Sequence, residues 1–191
     1  MNTMKRIFTV VVLFATVQLF AQEVEIDVEK SSLKWYGEKV TGSHDGTINL
    51  KKGFIEMKNG NITGGEFHID MTTIANTDIE DADTRAKLEG HLKSDDFFGV
   101  ETYPVSKLEI KKASKFKDGK AKVTGHLTIK ETTLPVDFEV TSKDGQMMTE
   151  IVIDRSKFDV RYGSGSFFDN LGDKMIYDDF TMTVTIVPVT K

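Results

Sequence analysis

Four histidines, His44, His68, His91 and His126, are the side chains here best able to bind a metal or move a proton near neutral pH. No two have the short spacing that presents a pair of zinc ligands from one element. His68 and His126 fall on the outward positions of alternating segments, and His44 and His91 in segments read as loop or helix end. The acidic run Asp78, Glu80, Asp81 and Asp83 has the density of a cation loop. It lacks the glycine turn and terminal glutamate of an EF-hand, and acids also gather at a helix N-terminus for its dipole alone. Gly163-Ser164-Gly165-Ser166 has neither the lysine nor the strand-to-helix setting of a phosphate loop, and is read as a flexible connection. Carboxylates are plentiful, but no pattern isolates two of them for glycoside hydrolysis. With no cysteine, the chain has no disulfide framework, thiolate metal site or cysteine nucleophile. The expectation is no metal, no cofactor and no catalytic residue.

One segment combines chemistry with shape. From Lys87 to Pro104 a helix end runs through His91 and Leu92 into Asp95-Asp96 and then Phe97-Phe98. Two adjacent aromatics cannot share one side of a strand. A loop or helix turn could send one ring into a core and the other across an opening, or both could be core plugs.

The elements that must position these residues are mostly strands. Ala121, Val123, Gly125, Leu127 and Ile129 alternate with Lys122, Thr124, His126 and Thr128. After Glu131 the parity reverses, with Leu134, Val136, Phe138 and Val140 on the apolar side; Phe67, Ile69 and Met71, and Phe180 to Ile186, repeat the scheme. Period-2 alternation marks strands with one buried face. Shorter candidates lie at Leu33–Gly37, Thr47–Leu50, Phe54–Met57, Leu108–Lys112 and Thr149–Asp154. Asn59-Gly60, Asp118-Gly119 and Asp144-Gly145 are hairpin turns. Ala82 to Leu92 reads as the one helix, capped by Asp81 or Asp83, and Arg155 to Phe158 as a short turn. Many antiparallel strands and one helix make an all-β domain, a barrel or a sandwich. Because each strand keeps a second, polar face for water, closure of about eight of them gives an antiparallel barrel with an apolar interior. Such an interior is either just filled or holds one small ligand.

The 191 residues carry 25 basic and 30 acidic side chains, a net charge of −5, which argues against a phosphate-contacting nucleic-acid surface. Lys5 and Arg6 precede an apolar run from Ile7 to Phe20, and Ala21 precedes polar sequence. This pattern is read as a signal peptide over residues 1–21, leaving one domain over 22–191 with a net charge of −7 in the periplasm or outside the cell. A membrane anchor is the poorer reading, because the run is short and holds Thr9, Thr16 and Gln18.

GHLKSDDFF from Gly90, the following Thr102-Tyr103-Pro104, and Val123–Ile129 with Thr133-Leu134-Pro135-Val136 behind it resemble the YceI-like family. Ile153–Phe158, Gly42–Thr47 and Gly64–Phe67 fit the same pattern; Glu131 departs from it where the family often has glycine. The resemblance implies a lipocalin-like β-barrel, secreted or periplasmic, that binds a long apolar molecule: an isoprenoid quinone, a polyprenyl phosphate or a fatty-acid derivative. On that reading Trp35, Phe54, Phe67, Ile69, Leu92, Phe97, Phe98, Leu108, Leu127, Phe138 and Phe180 form the wall, and His91 and Arg155 sit near a polar head. For Arg155 a structural ion pair is the stronger alternative. The partners are then the lipid itself, with transient contact to a membrane or a lipid-processing protein; a homodimer is left open. Two other readings stand beside it: an enzyme acting on a lipophilic substrate in the same interior, and a packed scaffold that meets a protein partner.

Overall fold

The computed structural model describes residues 21–189, so nearly all of the expected leader lies outside the described residues. Nine strands form one antiparallel sheet: β1 (Gln22–Glu25), β2 (Ser32–Lys39), β3 (Gly42–Lys58), β4 (Asn61–Asn76), β5 (Val105–Ala113), β6 (Lys120–Ile129), β7 (Thr132–Lys143), β8 (Gln146–Asp154) and β9 (Ile176–Ile186). Among the described residues the single α-helix is α1 (Ala82–Lys93), which joins β4 to β5. Strands β2 to β9 pair in chain order, and β9 returns to β2, which closes an eight-stranded barrel. The extra strand β1 continues the β2 edge of β3, pairing with Phe54–Met57.

The two ends of the barrel differ because their connections differ. The turns Asn59-Gly60, Asp118-Gly119 and Asp144-Gly145 have positive φ at both residues, the conformation that two-residue hairpins favour. All three lie at one end, together with β1 and the close of β9. The opposite end carries the β2–β3 and β6–β7 hairpin tips, α1, and the long connection from Asp154 to Ile176.

Parity along the strands is largely as the alternation predicts. Ala121, Val123, Leu127 and Ile129 are buried and their polar neighbours face out. Register shifts interrupt it in β3, β4 and β5, and the one in β3 bears on the expected wall. The expected strands Thr47–Leu50 and Phe54–Met57 are one strand of 17 residues, interrupted by an extra residue, Lys51, between the pairs Leu50↔Ile69 and Lys52↔His68. A bulge of one residue exchanges inner and outer faces beyond it. Ile55 is therefore buried, and Phe54, expected on the wall, faces outward opposite Glu66.

The junction between β7 and β8 is only half zipped. Pairing covers Thr141↔Met148, Ser142↔Met147 and Lys143↔Gln146 and then stops. The other side of β7 pairs with β6 over its whole length. Thr132 closes a two-residue turn against Ile129, so alternation directs the backbone groups of Leu134, Val136 and Phe138 to β6 and those of Thr133, Pro135, Asp137 and Glu139 towards β8. Pro135 thus places its missing N–H on an unpaired edge, where a proline is tolerated. Side chains close what the backbone leaves open. A 3₁₀ turn at Arg155–Phe158 packs Phe158, 2% exposed, among Ile151 and Ile153 of β8 and Leu134, Val136 and Phe138 of β7.

Candidate functional site

The long connections gather around the mouth of an internal cavity of about 530 Å³. Its wall is the inward parity of the strands, reaching Ile186 at the close of β9. Trp35, Phe67, Ile69, Leu108, Leu127, Phe138 and Phe180 line it from the strands, and His91, Leu92, Phe97 and Phe98 line it from α1 and the segment after it. Of the expected wall residues, Phe54 alone is placed elsewhere, for the reason given by the bulge.

Trp35 reaches its position because its partner in the register is Gly46. A Cβ on Gly46 would stand 1.9 Å from the Ala75 carbonyl oxygen and 2.6 Å from the indole ring, so only glycine lets the ring lie flat across β3. The indole Nε1 donates to that same Ala75 oxygen at 3.1 Å.

Helix α1 runs beside the mouth. Asp81 accepts from the Thr84 N–H at 2.8 Å as the N-cap, and Ser94 donates to the His91 carbonyl at the other end. The helix buries no residue fully; Leu88, His91 and Leu92 turn to the cavity. It is tied to the barrel through Glu89, which accepts from the Asn76 N–H at 2.8 Å. Asn76, 4% exposed, donates from Nδ2 to the Asp45 carbonyl and to Asp78 and accepts from the Ile79 N–H. Asp78 also pairs with Nδ1 of His44 at 2.9 Å. Burial raises the Asp78 pKa, but the His44, Asp45 and Asn76 hydrogen bonds outweigh it and hold the carboxyl below its ordinary range. The acidic run therefore caps a helix and fastens a rim. Among the described residues, no group of three or more His, Asp or Glu is arranged to hold a metal ion. His44 itself lies within β3, where a loop was expected, and faces the cavity mouth.

A row of rings crosses the mouth. The His91 ring meets Tyr162 edge-on at 4.3 Å between centroids and Phe97 at 5.6 Å; Phe97 lies 5.5 Å from Phe98, and Phe98 lies 6.4 Å from Phe180. The adjacent phenylalanines accordingly both line the cavity, Phe97 buried and Phe98 half-buried. Aromatic edges of this kind favour such offset and T-shaped contacts.

Arg155 holds this row in place. Its guanidinium lies 5.2 Å from the Phe97 centroid and donates to four carbonyls: Val160 and Tyr162 at 2.9 Å, Ile176 at 3.1 Å and Tyr177 at 3.2 Å. Nη2 also comes within 3.4 Å of Asp178 Oδ1, an oxygen that has no hydrogen-bond partner. Burial pushes the Arg155 pKa down, and Asp178 and Asp154 oppose that. Four of its five donors are committed to backbone, so Arg155 touches the cavity as a clamp on the loop and little remains for a head group. The same loop corrects the reading of Gly163–Ser166 as a flexible connection. Ser164 is fully buried and bridges to Ile176, and the Gly163 carbonyl accepts from the Ile176 N–H at 2.8 Å.

Further wall residues were within reach of the alternation, among them Leu33, Ile48, Ile110, Ile151, Ile153, Met182 and Val184. Tyr162, Ser106 and Lys174 were not, because loop position and a lone polar residue in a strand carry no periodic signal. Polar groups are sparse below the rim: Ser106 and Thr149 interrupt an otherwise apolar wall. Lys39, His44, Asp173, Lys174 and Asp179 stand at the mouth.

An eight-stranded barrel with an apolar cavity has room for one small ligand. The model of the YceI-like domain matches residues 24–187, and the chain belongs to that family. No curated protein matches. Among solved structures, the barrel is similar to BcnA of Burkholderia cenocepacia, with a TM-score of 0.68 and 20% identity over 86% of this chain and 99% of that one. A polyisoprenoid binding domain from Saccharophagus degradans, implicated in plant cell wall breakdown, has a TM-score of 0.56 and 14% identity over 87% and 97%. The Campylobacter jejuni YceI protein has a TM-score of 0.53 and 18% identity over 98% and 100%. At these identities the likeness is one of fold.

Proposed function

We propose that this protein is a binding protein that holds one long apolar lipid in the barrel, an isoprenoid quinone, a polyprenyl phosphate or a fatty-acid derivative, for transport, storage or sequestration. The observation that carries the reading is the cavity: about 530 Å³, apolar in its depth and charged only at its rim. Each methylene buried there contributes about 0.8 kcal/mol, so a tail binds well without polar contacts. The tail would point down the barrel, with the head beside His91, Tyr162 and the rim lysines. The polyisoprenoid binding domain with the same fold supports the lipid class, and the signal-like residues 1–21 support a periplasmic or secreted location. No catalysis is assigned. A filled interior would have favoured the scaffold reading, and the hollow one weighs against it.

Organic extraction of natively purified protein followed by mass spectrometry tests the reading. One lipid in near-stoichiometric amount is the expected result. Repeatedly empty protein that takes up neither quinones nor fatty acids would overturn it. Turnover of the lipid that is lost in His91→Ala while binding persists would make the protein an enzyme.

A further inference from the structure

Among the described residues eight large apolar side chains are exposed, and five of them stand together at the mouth. Val40 tips the β2–β3 hairpin, Tyr162, Phe167 and Phe168 lie on the connection from Asp154, and Tyr177 opens β9; each is between 41% and 50% exposed. Of the other three, Tyr36 and Val152 flank Thr181 on the outer wall, and Val189 bonds to Glu25 at the opposite end. The backbone fixes the cluster in place. Val40 donates its N–H to the Met175 carbonyl at 3.0 Å, and the amides of Phe167 and Phe168 donate to the carbonyl of buried Ser164. The Arg161 guanidinium lies 5.0 Å from the Phe167 centroid. Apolar side chains gathered this way on an ordered surface mark a place of contact.

Charge selects the partner. Tyr162, Phe168 and Leu171 border a cleft beside the mouth. Its other walls carry three cations, Lys130, Arg161 and Lys174, and three carboxylates, Asp95, Asp96 and Asp159. Arg161 and Asp159 pair with each other, and the other four have no ion-pair partner among the described residues. Equal numbers of both signs match a layer of zwitterionic head groups, each bearing a phosphate and an ammonium. An anionic surface matches poorly, because it repels a chain of net charge −5. Aromatic rings are at home at the boundary between head groups and hydrocarbon, and tyrosine keeps its hydroxyl in the polar layer. Tyr162 and Lys174 line the cleft and the cavity alike, so the patch is continuous with the opening a lipid uses.

We propose that this rim docks on a zwitterionic bilayer, the rings entering the interface and the cleft taking its phosphate and ammonium groups. A lipid then passes between bilayer and cavity without crossing water. The inference rests on the proposed lipid-binding reading and names the surface with which the cargo is exchanged.

Flotation of the natively purified protein with phosphatidylcholine vesicles tests it, beside vesicles in which a third of the lipid is phosphatidylglycerol. The protein is expected to float with the first, to resist roughly 0.5 M salt, and to gain nothing from the second. Phe167 and Phe168 do not line the cavity. Phe167→Ser with Phe168→Ser should therefore lower vesicle binding at least about tenfold and leave uptake of a fluorescent fatty acid from solution unchanged. That uptake also reports folding, and Val40→Ser on the separate hairpin repeats the test if the double variant fails to fold. Any apolar leader that is retained is common to protein and variants, so their difference reads the rim. Equal flotation of protein and variants, or no flotation at all, overturns docking. Binding that needs phosphatidylglycerol and vanishes in salt overturns it as well. So does a dimer, seen by sedimentation velocity, that the double variant abolishes, since the patch is then a subunit interface. A protein that floats but takes up no lipid overturns the lipid-binding reading and the exchange built on it, and leaves the docking standing.

Discussion

Arg155 shows how a residue can belong to a cavity wall without being free to bind its contents. Its plane of donors fits four carbonyls from two segments, the Val160–Tyr162 loop and the start of β9. Arg155→Met is expected to leave these carbonyls without a donor and to lower stability by about 3–5 kcal/mol, measured by urea unfolding. Arg155→Lys keeps the charge but replaces the fork with a point, so most of that loss should remain. A variant of full stability and weakened lipid affinity would instead identify Arg155 as a head-group residue. Trp35 and Phe97 were legible as wall residues because aromatics at inward or turn positions have few other places to go. Phe54 was misread because its own strand gives no local sign of the bulge at Lys51; the extra residue is defined only by its partner β4. Nor does anything near Arg155 in sequence announce its carbonyls at Ile176 and Tyr177, which lie 21 and 22 residues on.

Among the elements, the strands, the helix and the tight turns were readable because each is decided locally, by alternation, by an Asp cap and by Asx-Gly pairs. Strand β1 was missed: Gln22–Glu25 is too short to show a period and exists only through its pairing with β3. The half-zipped β7–β8 junction had one local clue, Pro135 in the middle of an otherwise regular strand, which marks an edge. The alternation of hydrogen bonds there makes a specific prediction. The amides of Thr133, Asp137 and Glu139 should exchange with solvent at least about tenfold faster than those of Leu134, Val136 and Phe138, since only the latter are bonded within the ladder. Uniform protection along β7, measured residue by residue by NMR, would mean that β8 pairs with it after all. The missing N–H of Pro135 also deprives a stray strand of one donor on that edge, which guards against pairing between molecules.

For the molecule as a whole, length, lean apolar content and strand alternation pointed to a polar-skinned barrel, and the closed sheet has that form. What no local pattern could supply was whether the interior is filled or hollow, because the same inward isoleucines and valines serve both. Volume decides it, and volume is set by all eight strands together. Every neighbour in the barrel is also a neighbour in sequence except one pair, β2 with β9, whose register runs from Ser32↔Thr185 to Lys39↔Ile176. A chain ending at Met175 is therefore expected to lose the barrel and all uptake of a fluorescent fatty acid, whereas a chain ending at Val189 should keep both. The order of synthesis gives this closure a further meaning. A chain made from its N-terminus lays down seven walls of a container before the eighth exists. Until the last strand arrives there is no inside, so on the proposed lipid-binding reading a ligand can be enclosed only after β9 has paired with β2.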